Sequence, residues 1–309
     1  MRLVPPGQMG RSRLWVACML LTILCMLVAC NSANSGHHAT TPTKTALSST
    51  PTTQLTPQQA SISAPKDLLT SGTLIVGTHL TAPPLEYTDT TTRQSAGFDI
   101  DLVTAIAQKM GLQVRIVPDS FDSLLPNLQA SRYDVVISGV TINDARKQNV
   151  DFVPYLSAGA SLLVSKGNPQ NVQSLSDLCG KMVGVQLGTA AQSDAQFASQ
   201  ACQQSKKPAI HLIVQQDQST ILQLLSTRHV VALYQSSPVN DYEVNQYPGH
   251  FAVVSSAVPT SMLGIAVRKN DSAMIQPVQN AFNALQKNGT YHALIMKWGM
   301  TSGDLTTGQ

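Results

Sequence analysis

The chain has 309 residues, of which 43% are hydrophobic and 12% are charged, and its formal net charge is +3. Residues 1–29 contain three arginines and no acidic residue, so the rest of the chain is formally neutral. This balance excludes an electrostatic case for nucleic-acid binding, which needs a concentrated basic surface.

The N-terminus has the layout of a secretory signal. Three arginines precede an almost uninterrupted apolar run over residues 14–29, which is short for a membrane-spanning helix. The run ends in Leu27-Val-Ala-Cys30, which resembles the bacterial lipobox. The resemblance implies cleavage before Cys30 and acylation of its thiol, and acyl chains anchor a protein in a membrane. The alternative is an ordinary signal peptide with a chance cysteine, or an uncleaved anchor.

The segment after Cys30 predicts a disordered tether. Residues 31–64 are rich in Ser, Thr, Pro, Ala and Gln and contain no aromatic residue. Such a stretch cannot bury enough apolar surface to offset the entropy of ordering it. Beyond it, Cys179 and Cys202 are an even pair in an oxidising compartment, which predicts a disulfide, with two free thiols as the alternative.

Strand-like and helix-like segments alternate after the tether. Residues 73–78 predict a strand, and residues 98–110 predict an amphipathic helix. Apolar and polar residues alternate over 112–116, as in a strand, and a helix over 123–130 and a strand over 134–138 follow. This order predicts a parallel sheet covered by helices on both faces.

The same alternation then repeats, and one more strand and two helices follow at the C-terminus. Two consecutive α/β units of this kind predict two lobes. Ligands bind beyond the carboxyl ends of the strands in open α/β sheets, so the two lobes are expected to enclose a cleft. The predicted strands are 182–187, 210–214, 230–234 and 264–268, and the predicted helices are 190–204, 220–225, 272–287 and 290–298.

Several short motifs follow one another along residues 65–299. They are Gly97-Phe-Asp-Ile-Asp-Leu102, Ser138-Gly-Val-Thr-Ile-Asn-Asp-Ala-Arg146 with Val150-Asp-Phe-Val-Pro-Tyr155, Gly184-Val-Gln-Leu-Gly-Thr189, Ser237-Pro-Val239, and Lys287-Asn-Gly-Thr-Tyr291 with Lys297-Trp-Gly299. Each motif alone is modest evidence. In this order, they resemble the polar amino-acid class of periplasmic solute-binding proteins, such as glutamine-, histidine- and lysine/arginine/ornithine-binding proteins.

The resemblance implies an α/β, two-lobed, type II periplasmic-binding-protein fold, with a mostly parallel sheet flanked by helices in each lobe. It places residues 65–164 and 260–309 in lobe 1 and residues 165–259 in lobe 2. The implied protein is a monomer, anchored by lipid at the extracytoplasmic face of the cell membrane. It would bind an amino acid or a related small carboxylate and dock on the permease of an ABC uptake transporter. It would not be an enzyme, and it would need no metal, cofactor or nucleic acid.

The residues themselves favour a carboxylate site around Arg146. A guanidinium grips a carboxylate through two parallel hydrogen bonds, which an ammonium cannot do. Ser138, Gly139 and Thr141 supply a hydroxyl and backbone groups beside it. The alternative is a surface arginine paired with a nearby aspartate.

The second lobe offers a matching anion site. Gly188 and Thr189 precede the predicted helix over 190–204, and a helix N-terminus presents free amides to an anion. Phe121 lies where the family stacks an aromatic ring on the ligand, and a core phenylalanine is the alternative.

Three positions depart from the family pattern. Ser236 stands where an aspartate usually pairs with the ligand's α-ammonium, and a hydroxyl cannot neutralise a buried charge. Ala82 stands where the family commonly has a second aromatic residue that stacks on the ligand. His79 stands where the family commonly has an acidic residue that binds the ligand side chain. Either Asp217 or Glu86 takes the ammonium, or the ligand is not a standard α-amino acid.

Two other functions fit the same scaffold. One is a cyclohexadienyl or arogenate dehydratase, for which His79 and Glu86 near the expected cleft would serve as acid or base. The other is a ligand-sensing ectodomain that reports to a separate signalling partner. The chain contains none of the G-x-S-x-G, H-E-x-x-H or P-loop motifs of common enzyme classes.

Overall fold

The computed structural model describes residues 62–254 and 261–306. The predicted signal peptide, Cys30 and residues 31–61 of the predicted tether lie outside the described residues. The end of the tether prediction is corrected, because Ile62 and Ala64 pack against the core and Ile62 donates a backbone hydrogen bond to Lys109. Within the described ranges, every helix is too short or too polar to span a bilayer.

Short strands and helices alternate along the chain. The strands are β1 (Thr73–Thr78), β2 (Thr81–Ala82), β3 (Glu86–Thr88), β4 (Ser95–Ala96), β5 (Gln113–Pro118), β6 (Val135–Val136), β7 (Val150–Ala158), β8 (Ala160–Ser165), β9 (Met182–Gln186), β10 (His211–Gln215), β11 (Ala232–Ser236), β12 (Phe251–Val254) and β13 (Ser261–Arg268). The helices are α1 (Phe98–Lys109), α2 (Phe121–Gln129), α3 (Asp144–Lys147), α4 (Ala190–Gln204), α5 (Gln218–Ser226), α6 (Ser237–Gln246), α7 (Ser272–Lys287) and α8 (Thr290–Trp298).

The first five-stranded sheet has the order β5-β1-β6-β13-β7, with β1 parallel to both β5 and β6. Leu74 and Val76 of β1 face a core shared with α1, α7 and α8, whereas Ile75 faces the opposite core with α2. A strand that is apolar on both faces is typical of a parallel sheet covered on both sides. This sheet and its helices form the first lobe.

The second five-stranded sheet has the order β10-β9-β11-β8-β12, with β9 parallel to β10 and β11. Helix α4 packs on one face and α5 on the other. A disulfide joins Cys179, just before β9, to Cys202 of α4. This sheet, with α4, α5 and α6, forms the second lobe.

Both sheets are mixed rather than purely parallel. In each sheet, three strands pair in parallel and two more are joined by antiparallel pairing. The added strands are β13 and β7 in the first lobe and β8 and β12 in the second. The two-lobed α/β fold class is therefore confirmed, and the antiparallel edges are an addition that the β-α-β order did not predict.

The predicted boundary between residues 164 and 165 is corrected to Gly159. Among the described residues, β8 pairs only with strands of the second sheet, and β7 pairs only with β13 of the first. The chain therefore crosses between lobes at Gly159, a single glycine between two largely apolar strands. The second predicted boundary, between residues 259 and 260, lies outside the described residues.

The topology brings the predicted site residues to facing edges. Strands β1 and β6 end just before His79 and Ser138, and β9 and β11 end near Gly188 and Ser236. Ligand sites of open α/β sheets form at these carboxyl ends.

Candidate functional site

A cleft lies between the carboxyl ends of the two sheets. It encloses ≈ 770 Å³ of empty space when its open mouth is included. Its lining includes Ala82, Glu86, Phe121, Ser138, Gly139 and Thr141 from the first lobe, and Gln186, Thr189, Asp194, Gln218, Tyr234, Gln235 and Ser236 from the second.

Arg146 lies outside this lining and bridges the two lobes. Its Nη1 donates to the carbonyl oxygen of Thr141 (2.7 Å), and its Nη2 donates to that of Gly188 in the second lobe (3.1 Å). The guanidinium carbon is 5.7 Å from the centre of the Phe121 ring, within the range of a cation–π contact. Burial lowers the pKa of Arg146 to about 10, so the side chain stays charged at neutral pH.

The nearby acids do not neutralise Arg146. Asp144 pairs with Lys147 (3.2 Å) and Asp151 pairs with Lys269 (2.7 Å). Within residues 62–254 and 261–306, no carboxylate lies within ion-pair distance of Arg146. A half-buried guanidinium with spare N–H donors is suited to an anion from outside the chain.

The N-terminus of α4 faces this guanidinium. Thr189 is the N-cap, and its hydroxyl accepts a hydrogen bond from the Gln192 amide (3.1 Å). The first amides of a helix have no intrahelical partner and favour negative charge. Gly188 has a φ of 77°, and a side chain there would come within 2.9 Å of the Asp122 backbone in the first lobe. The lobes therefore approach each other closely at Gly188.

Ser138 and Gly139 tie the first-lobe wall to buried carboxyl groups. Ser138 Oγ accepts from the His79 amide (2.9 Å) and donates to Glu86 (3.1 Å), while the Gly139 amide donates to Asp99 (2.9 Å). These hydrogen bonds hold Ser138 and Gly139 in place before the ligand binds.

Glu86 and Asp99 are both buried and interact electrostatically with each other. Burial, and then the charge of Asp99, raises the pKa of Glu86 well above its usual range. Burial also raises the pKa of Asp99, although the Gly139 amide and the Tyr155 hydroxyl partly offset this. Burial beside Asp99 therefore favours the protonated form of Glu86. A neutral Glu86 is a poor partner for a ligand ammonium.

His79 and Asp217 meet across the lobes but do not line the cleft. His79 Nδ1 lies 2.7 Å from the Asp119 carbonyl, which assigns the proton of a neutral imidazole to that nitrogen. Its Nε2 is 3.5 Å from Asp217, whose side chain is 51% exposed. This pair is thus separate from the lining that surrounds the empty space.

The remaining predicted residues lie in the lining, and Ser236 is unsatisfied. Ala82 and Phe121 form part of the first-lobe side. Ser236 is the N-cap of α6, yet its buried Oγ has no hydrogen-bond partner among the described residues.

Sequence reasoning missed Asp194 and Tyr234. Asp194 lies three residues after Ala191 on the buried face of α4, and Tyr234 lies two residues before Ser236 on β11. The sequence did offer a signal for Asp194, because this acidic residue falls on the otherwise apolar face of an amphipathic helix. Three glutamines also line this wall and carried no signal: Gln186, Gln218 and Gln235.

Groups of metal-ligating side chains are absent from the described part of the chain. Neither 62–254 nor 261–306 contributes three His, Cys, Asp or Glu residues placed to hold one ion.

Known proteins resemble this chain over its folded part. Residues 74–301 match the bacterial extracellular solute-binding proteins, family 3. An L-cystine-binding protein of Escherichia coli is 32% identical over 228 residues, 74% of this chain and 82% of that protein.

Solved structures give the same result. An ancestral arginine-binding protein bound to arginine is 37% identical, with a TM-score of 0.68 over 74% of this chain and 98% of its own. An ancestral amino acid-binding protein, described as a precursor of cyclohexadienyl dehydratase, is 33% identical, with a TM-score of 0.65 over 74% of this chain and 95% of its own.

Proposed function

The chain belongs to family 3 of the bacterial extracellular solute-binding proteins, and on that premise we propose that it captures an amino acid for an ABC uptake transporter. The observation that carries the proposal is the guanidinium of Arg146, which bridges the lobes beside the N-terminus of α4 and has no carboxylate partner among the described residues. A ligand carboxylate supplies that partner and is held by both lobes at once.

Closure of the lobes makes capture selective. Excluding water strengthens charged contacts, so a bound carboxylate stabilises the closed form far more than the open one. The closed form then docks on the permease, and an open, empty form releases from it. Two relatives are named for L-cystine and for arginine, which makes these the first ligands to try.

The proposed location is the outer face of the cell membrane. Residues 1–29 would be removed as the signal, Cys30 would carry the lipid, and residues 31–61 would hold the monomeric folded part off the surface. A Cys30→Ala chain should then move from the membrane fraction to the soluble extracytoplasmic fraction. Retention in the membrane would contradict the lipid anchor without touching ligand binding.

A thermal-shift screen tests the binding function. The full chain is screened with the twenty standard L-amino acids and L-cystine, with sugars and inorganic anions as controls. A ligand at 100 times its Kd should stabilise the protein by about 2.7 kcal/mol, which is readily seen as a shift in Tm. Stabilisation by sugars but by no amino acid would overturn the proposal.

Dehydration of a cyclohexadienyl acid is the second candidate. It is favoured by Glu86, which lines the cleft and keeps a proton that a general acid would donate. Turnover of prephenate or arogenate by the purified chain, lost in Glu86→Gln, would establish it. Binding of an amino acid without turnover would support capture instead.

A further inference from the structure

The second-lobe wall of the cleft contains three polar side chains that find no partner within the described residues. The carboxylate of Asp194 makes no ion pair or hydrogen bond there, and burial raises its pKa. Tyr234 is 0% exposed and its hydroxyl is unpartnered, and so is the buried hydroxyl of Ser236. All three line the cleft.

Unpartnered groups of this kind are rare in folded proteins. A buried hydroxyl without a hydrogen bond is destabilising, so its retention calls for a partner that the chain itself does not supply. Tyr234 and Ser236 are two residues apart on β11 and therefore point to the same side of the strand. Burial, and then the charge of Asp194, raises the pKa of Tyr234, which indicates that the carboxylate lies near this hydroxyl.

The three groups lie beside the place where the ligand carboxylate binds. Asp194 is one turn beyond the N-terminus of α4, about 6 Å along the helix axis from Ala190. Side chains on a helix lean towards its N-terminus, so the Asp194 carboxylate leans towards the end of α4 that faces Arg146. An α-amino acid carries its positive group on the carbon next to its carboxylate, which fits this spacing.

The other acids near the cleft are less suitable. Glu86 already accepts a hydrogen bond from Ser138, and its burial disfavours the charged form. Asp217 lies outside the lining and faces His79. Among the described residues that line the cleft, Asp194 is thus the carboxylate that remains available to a cation.

We propose that Asp194, together with the hydroxyls of Tyr234 and Ser236, binds the α-ammonium group of the ligand. Asp194 supplies the charge, and the two hydroxyls accept the remaining N–H bonds. The assignment rests on the proposed amino-acid capture and names the residues that distinguish an amino acid from a simple carboxylate.

Paired ligands test the assignment by calorimetry on the full chain. The L-amino acid with the largest thermal shift in the screen of twenty amino acids and L-cystine is compared with its des-amino acid. For arginine, the counterpart is 5-guanidinopentanoate, and for L-cystine it is 3,3′-dithiodipropionate. Asp194→Asn should weaken binding of the amino acid by about tenfold or more and leave the des-amino acid unchanged.

Two further variants separate a binding role from a structural one. Asp241→Asn is the matched control, because desolvation also raises the pKa of Asp241, but Asp241 lies on α6 outside the cleft lining. Adding Ser236→Asp to Asp194→Asn should restore the preference for the amino acid. The new carboxylate would lie on the side of β11 that also carries Tyr234, next to the proposed ammonium position.

The possible outcomes distinguish a failure of the ammonium assignment from a failure of the proposed amino-acid capture. Equal weakening of both ligands, unchanged affinity for both, or an effect limited to amino acids with cationic side chains would overturn the ammonium assignment alone. Failure of every amino acid to bind the wild-type chain would overturn the proposed capture, and the assignment with it.

Discussion

The two walls of the cleft differ in which polar groups already have hydrogen-bond partners. On the first-lobe side, Ser138 and Gly139 are hydrogen-bonded to two buried carboxyl groups, and Arg146 is held by two backbone carbonyls. On the second-lobe side, the glutamine side chains are hydrogen-bonded, but the hydroxyls of Tyr234 and Ser236 have no partner among the described residues. These two hydroxyls are thus left for the ligand, whereas Ser138 and Gly139 are fixed before it binds. We therefore expect closure to be driven by the groups that the ligand presents to the second lobe.

Arg146→Ala should have the largest effect on this comparison. Removing the guanidinium leaves the ligand carboxylate without its charge partner, which costs about 3 kcal/mol and weakens binding about 100-fold. Calorimetry with the amino acid found in the screen measures the change. Lys147→Ala is the matched control, because Lys147 is exposed and pairs only with Asp144. Equal losses in the two variants would contradict the role of Arg146.

Removing the disulfide should weaken the second lobe selectively. The bond between Cys179 and Cys202 closes a loop with a sequence separation of 23, and such cross-links stabilise by about 3 kcal/mol. The double Cys→Ser variant should unfold at lower denaturant concentration yet still bind ligand when folded. Because the bond lies away from the cleft lining, an unchanged unfolding midpoint with lost binding would reverse the interpretation.

Gly188→Ala should hold the two walls apart. The added methyl group would meet Asp122 across the cleft, so we expect about tenfold weaker binding with a small change in unliganded stability. Gly167→Ala controls for backbone strain, since Gly167 has a φ of 79° and open space around its Cβ position. If both variants bind ligand equally well, the lobes do not close at Gly188.

Glu86→Gln should give the smallest change, confined to pH dependence. The raised pKa values of Glu86 and Asp99 mean that the folded chain binds more protons than the unfolded chain above about pH 4. The pair therefore lowers the free energy of unfolding as pH rises from about 4 towards and beyond 6. The variant should gain in Tm relative to wild type at pH 8 more than at pH 5. A constant difference between the two proteins at all pH values would show that the pair does not share a proton.

The sequence predicts the regular elements well where caps and periodicity agree. Helices over 190–204 and 272–287 match the structure at both ends, because Thr189 and Asp271 accept hydrogen bonds from the first turn of each helix. The crossing at Gly159 was missed because one glycine is the only break between the largely apolar strands β7 and β8. The small sheet of β2, β3 and β4 was missed because its strands have only two or three residues.

The first wall of the site was also more predictable than the second. Ser138, Thr141 and Arg146 follow one strand within nine residues, so local sequence brings them together. Asp194 and Tyr234 are 40 residues apart in the numbering and meet only because α4 packs on β11. The neutral state of Glu86 likewise depends on its burial against Asp99, which composition and spacing do not reveal.

The most direct test compares an amino acid with its carboxamide in wild type and in Arg146→Ala. For arginine, the pair is L-arginine and L-argininamide. The carboxamide keeps the ammonium and the side chain but lacks the negative charge that Arg146 and the α4 N-terminus receive. We predict that wild type binds the acid at least about 100-fold more tightly than the amide, and that this preference largely disappears in Arg146→Ala. Equal binding of acid and amide by the wild-type chain would contradict carboxylate capture between the lobes.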